Sequence, residues 1–380
     1  MELHSLQQMH SMEVHSKNIL IFNLKTLTEM WGFFYFTICN IMLYWKLNLI
    51  KFGRVDIGEL FWDVNNEPVR ANLEFWSNYD RAKNELLDFL KDYNNYEVCC
   101  YENVEGTDIR ITNPELYQFF IDYYKETGKK IILKTNALNI HYDDNVIHYP
   151  CFGFMGSLEN YKIEPRKFQN KVLFLNRVER WHRTFLHDEF KKRNLLQYFD
   201  YSINSEDSNL VPFKSIEEVE IDIPKIMDIL PNYFTCFVNL LTETHFFNGD
   251  ERDNVLFITE KLDKIIAAGQ PFIIVSVPNY IKTLKKLGFK TFDKWWDESY
   301  DDIITETERL NHIIKIVEDI CKLSISELEN MYVEMIPILK HNQNLTKFIG
   351  DLSTDWNDYT LDDVIDTVKN DFEEYIYNME

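Results

Sequence analysis

The sequence predicts an α/β fold with two open parallel sheets, helices on the faces of each sheet, and further helices at the C-terminus. Short, continuously apolar runs at residues 96–101 and 234–241 are typical of strands buried on both faces of a parallel sheet. Helical segments alternate with such runs across short junctions rich in Gly, Asn and Pro. The alternation pauses at residues 151–170, which contain two glycines and a proline, and we interpret this stretch as a linker between two domains.

The first predicted domain covers residues 18–160, after a leader of residues 1–17 that we expect to be disordered. Its clearest helix begins at Pro114, which suits the first helical position, and ends before Gly128, which suits a helix C-terminus. The predicted strands and helices of this domain cover residues 18–23, 33–47, 71–93, 96–101, 114–127 and 130–134.

The second predicted domain covers residues 161–345 and repeats the alternation. Thr259 marks the start of one helix, and Gly288 marks the end of another. The predicted strands and helices outside the Thr259 helix cover residues 171–175, 184–193, 234–241, 271–275, 280–287, 308–323 and 326–340. An acidic tail follows at residues 346–380, and we expect it to be helical from Leu361 onwards.

The charge and the cysteines limit the classes of partner. The chain has 62 acidic and 40 basic residues, and its net charge of −22 disfavours a nucleic-acid partner, which normally requires a basic excess. The six cysteines form no CxxC pair and have no regular spacing. We therefore expect reduced thiols, no zinc site and a cytoplasmic protein.

Residues 30–45 are the most apolar stretch of the chain. They number 16, which is short of the roughly 20 residues that a membrane-spanning helix needs. Glu29 and Lys46 bound the stretch, and the preceding residues lack the basic character of a signal peptide. We therefore expect a buried core helix and no membrane association, with a membrane-tethered enzyme as the alternative.

A basic cluster follows the predicted strand at residues 171–175. Arg177, Arg180, His182 and Arg183 lie within one short segment, at the carboxyl edge of a parallel sheet, where ligands bind in such folds. Guanidinium groups match the geometry of phosphate with paired donors. The cluster predicts a phosphate site, and the alternative is a surface patch that pairs with acidic neighbours.

Two acidic positions follow the next predicted strands. Glu243 comes directly after the strand at residues 234–241, and Glu260 lies 17 residues later, beside Thr259 and Lys261. A carboxylate can bind sugar or ribose hydroxyls, and Lys261 at a helix N-terminus can bind phosphate. The alternatives are helix capping by Thr242 or Glu243 at the first position and an ordinary capping arrangement by Thr259 at the second.

These motifs resemble a known enzyme family. Residues 258–275, which include Lys264, together with residues 287–293 and 297–301, resemble the C-terminal half of GT-B glycosyltransferases of large DNA viruses, phages and bacteria. More distantly, the segment is similar to fucosyltransferases, whose donor site carries a Glu followed by a Thr-Glu-Lys triplet. Their spacing between the two is shorter than the 17 residues here, so the resemblance does not assign a role to Glu243. Residues 176–183 resemble the N-R-x-x-R-x-H-R element of the same domain.

The resemblance implies two Rossmann-like domains that face each other across a cleft, with an acceptor domain at residues 18–160 and a nucleotide-sugar domain at residues 161–345. It also implies that Glu260 binds ribose. Lys261, with Arg177 or Arg183, would bind the pyrophosphate.

The first domain offers candidates for the base that activates the acceptor. Glu102, Glu105 and Asp108 follow the strand at residues 96–101, and we place Glu102 and Asp108 first among them as catalytic residues. His141 and His148 are weaker candidates, and a solvated acidic turn is the alternative. The chain contains no Asp-x-Asp triplet, which favours metal-independent chemistry without a cofactor.

The sequence therefore predicts a glycosyltransferase that moves a sugar from a nucleotide-diphosphate donor to a hydroxyl acceptor such as a glycan. One alternative is a non-catalytic module that binds nucleotide sugars or glycans. A glucosyltransferase acting on nucleic-acid bases is a further alternative, which the net charge of −22 disfavours.

Overall fold

All eight strands that the structure describes pair in parallel, and they form two separate sheets of four. The structure is a computed structural model, and it describes residues 54–56, 78–91, 95, 97–102, 108–150, 152, 155–156, 158–176, 178–203, 231–247, 255–354 and 359–379. The α/β class and the parallel pairing agree with the sequence prediction.

The first sheet has its strands in chain order. Its elements are β1 Arg54–Asp56, α1 Tyr79–Lys91, β2 Glu97–Glu102, α2 Ile109–Thr112, α3 Pro114–Thr127, β3 Ile131–Thr135 and β4 Val146–Pro150. The sheet order is β1-β2-β3-β4. Apolar side chains of α1 and α3, including Leu86, Phe119 and Phe120, pack with Val98 and Leu133 of the sheet.

Local signals define α3 at both ends. The Asn113 side chain accepts a hydrogen bond from the Leu116 N–H at 3.2 Å, and Pro114 occupies the first turn. Gly128 ends the helix with a φ of 70°, a left-handed conformation that glycine adopts without steric cost. The predicted helix at residues 114–127 is therefore confirmed.

The second sheet does not follow chain order. Its elements are β5 Asn170–Leu175, α4 Trp181–Lys192, β6 Phe199–Ser202, α5 Asn232–Thr235, β7 Cys236–Thr242, α6 Glu260–Ala267, β8 Phe272–Val275 and α7 Tyr280–Lys286. The sheet order is β6-β5-β7-β8. The chain leaves β5 towards β6 on one side and later adds β7 on the other side. The carboxyl ends of β5 and β7 therefore flank a topological switch point.

Three helices complete the C-terminal part: α8 Glu306–Lys322, α9 Ile325–Thr354 and α10 Leu361–Met379. Their apolar faces join the core of the second sheet, as Ile313, Tyr332 and Val368 show. The helix α9 runs without a break through the boundary predicted between residues 345 and 346. None of the helices that the structure describes is long and apolar enough to cross a membrane.

The segment between the sheets is bound to the C-terminal part. The Gly156 N–H donates to Asp263 Oδ1 at 3.0 Å, and the Tyr161 N–H donates to the Ala267 carbonyl at 2.9 Å. Gly156 also lies directly against Gly350 of α9. A Cβ added to Gly350 would meet the Met155 carbonyl oxygen at 2.5 Å. The predicted linker is thus packed between α6 and α9.

Several sequence predictions need correction. The helix after β5 begins at Trp181, three residues earlier than expected. Its cap residue Arg180 makes no side-chain capping hydrogen bond, so the sequence carries no capping signal at this start. The strand expected at residues 234–241 begins at Cys236, since α5 precedes it. Strands β4 and β6 were not predicted, and His148 lies on β4 instead of beside a loop.

Other predictions are not tested. The leader at 1–17 and the elements at 18–23 and 33–47 lie outside the described residues, as does the apolar stretch at 30–45. Strands β2 and β5 lie in different sheets, as the predicted division into two domains requires. The division itself stays a prediction. The four cysteines described, Cys99, Cys100, Cys236 and Cys321, are buried free thiols.

Candidate functional site

The carboxyl ends of β5 and β7 are joined by side chains at the switch point. The Thr242 hydroxyl at the end of β7 donates to Asn176 Oδ1, directly after β5. The Asn176 N–H donates to the Ser202 carbonyl at the end of β6, at 2.8 Å. Three strand ends therefore converge on the segment that leads into α4.

The N-terminus of α4 has no capping side chain. Arg180 is the cap residue and makes no side-chain capping hydrogen bond, and the first turn contains no acidic residue. The N–H groups of Trp181 and His182 have no carbonyl acceptor within the helix, and the helix dipole adds partial positive charge there. This end of α4 therefore favours an anion.

Arg183 adds a buried positive charge beside this helix end. Only 5% of the residue is exposed, and its guanidinium donates to the carbonyls of Val178 at 2.8 Å and of Thr242 and Glu243 at 3.2 Å each. Burial, with the nearby charge of Arg180, lowers the pKa of Arg183 to about 10. Neither Arg180 nor Arg183 forms an ion pair with a carboxylate of the described ranges.

His182 is neutral and buried, and its role in the phosphate site stays a prediction. Its Nε2 lies 3.1 Å from the Glu243 carbonyl, so this nitrogen carries the proton and donates. The ring stacks on Phe246 at 4.7 Å, and the Arg309 guanidinium lies 4.4 Å from the centre of the Phe246 ring. Burial, and then the charge of Arg183, lowers the pKa of His182 to about 3.

Several buried polar atoms at this place have no hydrogen-bond partner among the residues described. They are Asn176 Nδ2, Arg180 Nε, Arg183 Nε and His182 Nδ1. Leaving such a group unsatisfied costs about 1–3 kcal/mol, so a cluster of them calls for a physical reason. Three of the four are donors, which is the chemistry that binds an anion.

Glu243 is held inside the protein by hydrogen bonds, and its role as a ligand for sugar hydroxyls stays a prediction. Only 1% of it is exposed. Its Oε1 accepts from the hydroxyls of Thr259 at 3.0 Å and Tyr280 at 3.1 Å, and its Oε2 accepts from Lys261 Nζ at 3.3 Å. Burial and the Glu243 charge raise the pKa of Tyr280 well above its usual value, so Tyr280 stays protonated.

The Thr259–Glu260–Lys261 segment begins α6 as predicted. Thr259 is the cap residue, and its hydroxyl accepts from the Lys261 N–H at 3.2 Å. Glu260 is a partly exposed acid in the first turn, and Lys264 lies one turn further along, also partly exposed. Because Glu260 and Glu243 already supply negative charge at this end, α6 favours a phosphate less than α4 does.

The acidic candidates of the first half lie near the end of β2. Asp108 is buried and caps α2, and its carboxylate accepts from the Arg110 N–H at 3.0 Å and the Arg110 guanidinium at 2.6 Å. Glu102 is the last residue of β2, and its side chain lies outside the description, as do Glu105 and Arg177. Asp108 therefore has a structural partner, and its catalytic role stays a prediction.

The two histidines of the first half differ in environment. His141 is exposed, and its carbonyl accepts from the Arg110 guanidinium at 3.2 Å. His148 lies against the Tyr142 ring at 5.0 Å. Burial lowers the pKa of His148 to about 4, so it is neutral at pH 7.

A backbone connection joins the first sheet to the site. The Leu138 N–H, beyond the end of β3, donates to the Leu256 carbonyl at 2.9 Å. The Leu256 N–H donates to Asn139 Oδ1 at 2.8 Å. Leu256 belongs to the buried segment that leads into Thr259, so the carboxyl edge of the first sheet contacts the approach to α6.

A cavity of about 360 Å³ lies elsewhere, beside α7. Two lysines and five acidic residues dominate its lining: Lys282, Lys285, Asp293, Asp297, Glu298, Asp301 and Asp302. Lys285 pairs with Glu298 at 2.9 Å, and the Asp301 carboxylate accepts from the Ile281 and Lys282 N–H groups. Within the part of the chain that is described, no group of three or more His, Cys, Asp and Glu is arranged to bind a metal.

Tyr280 and Arg309 were not predicted as members of this site, and Asn176 was predicted only as the first residue of the segment 176–183, without a role of its own. Asn176 was the only one with a local signal, since it directly follows a predicted strand. Tyr280 and Arg309 reach the site from 37 and 63 residues away along the chain, through Glu243 and the Phe246 carbonyl respectively. The sequence matches no protein-family model, and a search of curated proteins returns no match.

Proposed function

We propose that this chain is a glycosyltransferase that moves a sugar from a nucleotide-diphosphate donor to a hydroxyl acceptor, and that the diphosphate binds at the N-terminus of α4. One observation carries the proposal. The switch point combines an uncapped helix end with Arg180, Arg183 and unpartnered buried donors, and it has no acidic residue in the first helical turn. In a chain of net charge −22, such a local positive site fits a ligand with several negative charges.

The chemistry follows from where negative charge develops. The acceptor oxygen forms a bond to the anomeric carbon while the bond from that carbon to the diphosphate oxygen breaks. The electron pair leaves with the diphosphate, and the hydroxyl proton passes to a base. Fixed donors around the leaving diphosphate stabilise that transition state, and Arg180, Arg183 and the α4 N–H groups are such donors. They supply this stabilisation without requiring a metal ion.

The remaining candidate residues are proposed to bind the ribose and to act as the base. Glu260 is partly exposed at the start of α6, where its carboxylate is available to ribose hydroxyls. Glu102 and Asp108 are the proposed bases. Asp108 must exchange its contact with Arg110 before it can accept a proton.

The finer architecture and location belong to the same proposal. We propose that the protein is a cytoplasmic enzyme with the GT-B arrangement, in which residues 18–160 form an acceptor domain and residues 161–345 a donor domain. The hydrogen bonds of Leu138 and Asn139 with Leu256 support it, since they bring the carboxyl edge of the first sheet to the donor half.

A donor screen tests the proposed function. The full chain is incubated with uridine, guanosine, adenosine and thymidine diphosphate sugars, with and without glycan acceptors, and release of the free nucleoside diphosphate is measured. We expect release with at least one donor and faster release with a suitable acceptor. Binding of donors without hydrolysis or transfer would identify the non-catalytic module. Absence of binding to every nucleotide and to pyrophosphate would overturn the proposal.

A further inference from the structure

A half-exposed tryptophan lies next to the proposed diphosphate site. Trp181 is the first residue of α4, and 46% of it is exposed. Its ring stacks on Phe185 at 5.3 Å with 28° between the planes, and it also contacts Phe247 at 5.6 Å and Phe246 at 6.4 Å. Several aromatic rings thus hold the indole in place while part of its surface faces solvent.

The position of this ring links it to the anion site. Trp181 lies between Arg180 and His182, and its own N–H is one of the α4 groups without an intrahelical acceptor. Asn176 directly follows β5, on the segment that leads into α4. It is 97% buried, and its Nδ2 has no hydrogen-bond partner among the residues described. Val178, on the loop that precedes α4, is another exposed apolar residue, with 55% of it exposed. An aromatic surface therefore adjoins a cluster of donors for phosphate.

We infer that Trp181 is the platform on which the base of the bound nucleotide stacks, an inference that rests on the proposed function. A base is a flat aromatic ring attached through one ribose to its phosphates, so its face matches an exposed indole beside a phosphate site. An immobilised aromatic ring loses little conformational entropy when it binds. Stacking accepts any base, because every base has a π-face. Trp181 therefore contributes affinity for nucleotides without selecting one base.

The test separates the base from the phosphates. The full chain and the Trp181→Ala and Trp181→Phe variants are titrated calorimetrically with UDP, GDP, ADP and inorganic pyrophosphate. We expect Trp181→Ala to weaken all three nucleotides roughly ten- to hundredfold and to leave pyrophosphate affinity unchanged. Trp181→Phe retains most of the nucleotide affinity. Trp295→Phe, at a tryptophan whose described aromatic contacts are with Phe292 and Lys294, is the control and changes neither affinity.

Different outcomes count against different claims. If the chain binds nucleotides and Trp181→Ala loses no affinity, or loses nucleotide and pyrophosphate equally, the stacking inference is wrong while the proposed function stands. If Trp181→Ala changes the oligomeric state and not nucleotide affinity, the surface is a protein contact and the inference is again wrong. If the unaltered chain binds neither nucleotides nor pyrophosphate, the proposed function fails and the inference fails with it.

Discussion

His182 donates a hydrogen bond from Nε2 to the backbone carbonyl of Glu243 at 3.1 Å, and this contact fixes α4 against the end of β7. The same carbonyl accepts from Arg183, while the Glu243 carboxylate faces Thr259 and Tyr280. Glu243 thus contacts the start of α4 through its backbone carbonyl and the start of α6 through its carboxylate. We propose that the Glu243 carboxylate is structural and that the neighbouring start of α4 binds the ligand.

Replacing Glu243 tests the structural role. Glu243→Ala leaves the Tyr280 and Thr259 hydroxyls without their acceptor and Lys261 without its buried partner. We expect the free energy of unfolding to fall by about 2–6 kcal/mol in urea titrations, because each of the two buried hydroxyls left unsatisfied costs about 1–3 kcal/mol. Glu260→Gln, at the partly exposed acid of the same helix start, is the control and changes it by less than about 0.5 kcal/mol. Unchanged stability with lost nucleotide affinity in Glu243→Ala would show that Glu243 binds the ligand.

Replacing Arg180 tests the phosphate site. Arg180 is partly exposed and caps α4 without a side-chain hydrogen bond, so Arg180→Ala removes charge with little effect on the fold. We expect about tenfold or more weaker binding of nucleoside diphosphate and pyrophosphate, because a charge-assisted contact contributes about 1.5–3 kcal/mol. Arg193→Ala, at the other end of α4 and paired with Glu189, keeps the affinity of the unaltered chain. Equal affinity in Arg180→Ala would place the phosphate elsewhere.

The pH dependence of stability follows from His182. Its folded-state pKa of about 3 lies below the ordinary value of 6.5, so the folded chain holds it neutral. The stabilisation is therefore fully present above pH 6.5 and is lost as the pH falls from 6.5 towards 3. We expect urea titrations between pH 7 and pH 4 to show this loss, on the order of a few kcal/mol. His182→Gln keeps a donor for the Glu243 carbonyl and gives a flatter profile; parallel profiles would refute the prediction.

The contact between the linker and α9 has a steric test. A Cβ on Gly350 would meet the Met155 carbonyl at 2.5 Å, and neither backbone can move without shifting α9 or the linker. We expect Gly350→Ala to lower the free energy of unfolding by about 1–3 kcal/mol. Lys340→Ala, at an exposed position of the same helix, leaves stability unchanged within about 0.5 kcal/mol. If both variants unfold alike, the linker does not pack on α9 as described.

Elements with local sequence signals were predictable. Pro114 and Gly128 bound α3, Thr259 caps α6, and Gly288 with a φ of 92° ends the turn after α7. Each signal acts within a few residues of the backbone that it shapes. The start of α4 was misplaced because Arg180 carries no capping side chain that marks a helix start.

Features that depend on distant residues were not predictable. Strand β6 has only four residues and partly polar character, and its place in the sheet depends on pairing with β5. The burial of the Glu243 carboxylate was not predicted, because its partner Tyr280 is distant in sequence and no local pattern shows it. The basic cluster that contains Arg183 was visible in the sequence, and its phosphate role stays a prediction. How Arg183 is held depends on its burial and on three backbone carbonyls, which no local pattern shows.

The most direct test of the central claim is a crystal structure of the chain with a bound nucleoside diphosphate. There are two candidate positions for the phosphates. One is the N-terminus of α4 with Arg180 and Arg183, and the other is the N-terminus of α6 with Lys261. We expect the diphosphate at α4, within hydrogen-bond distance of the Trp181 and His182 N–H groups and the Arg180 guanidinium. A diphosphate bound at α6, with Lys261 moved away from Glu243 to contact it, would contradict the account.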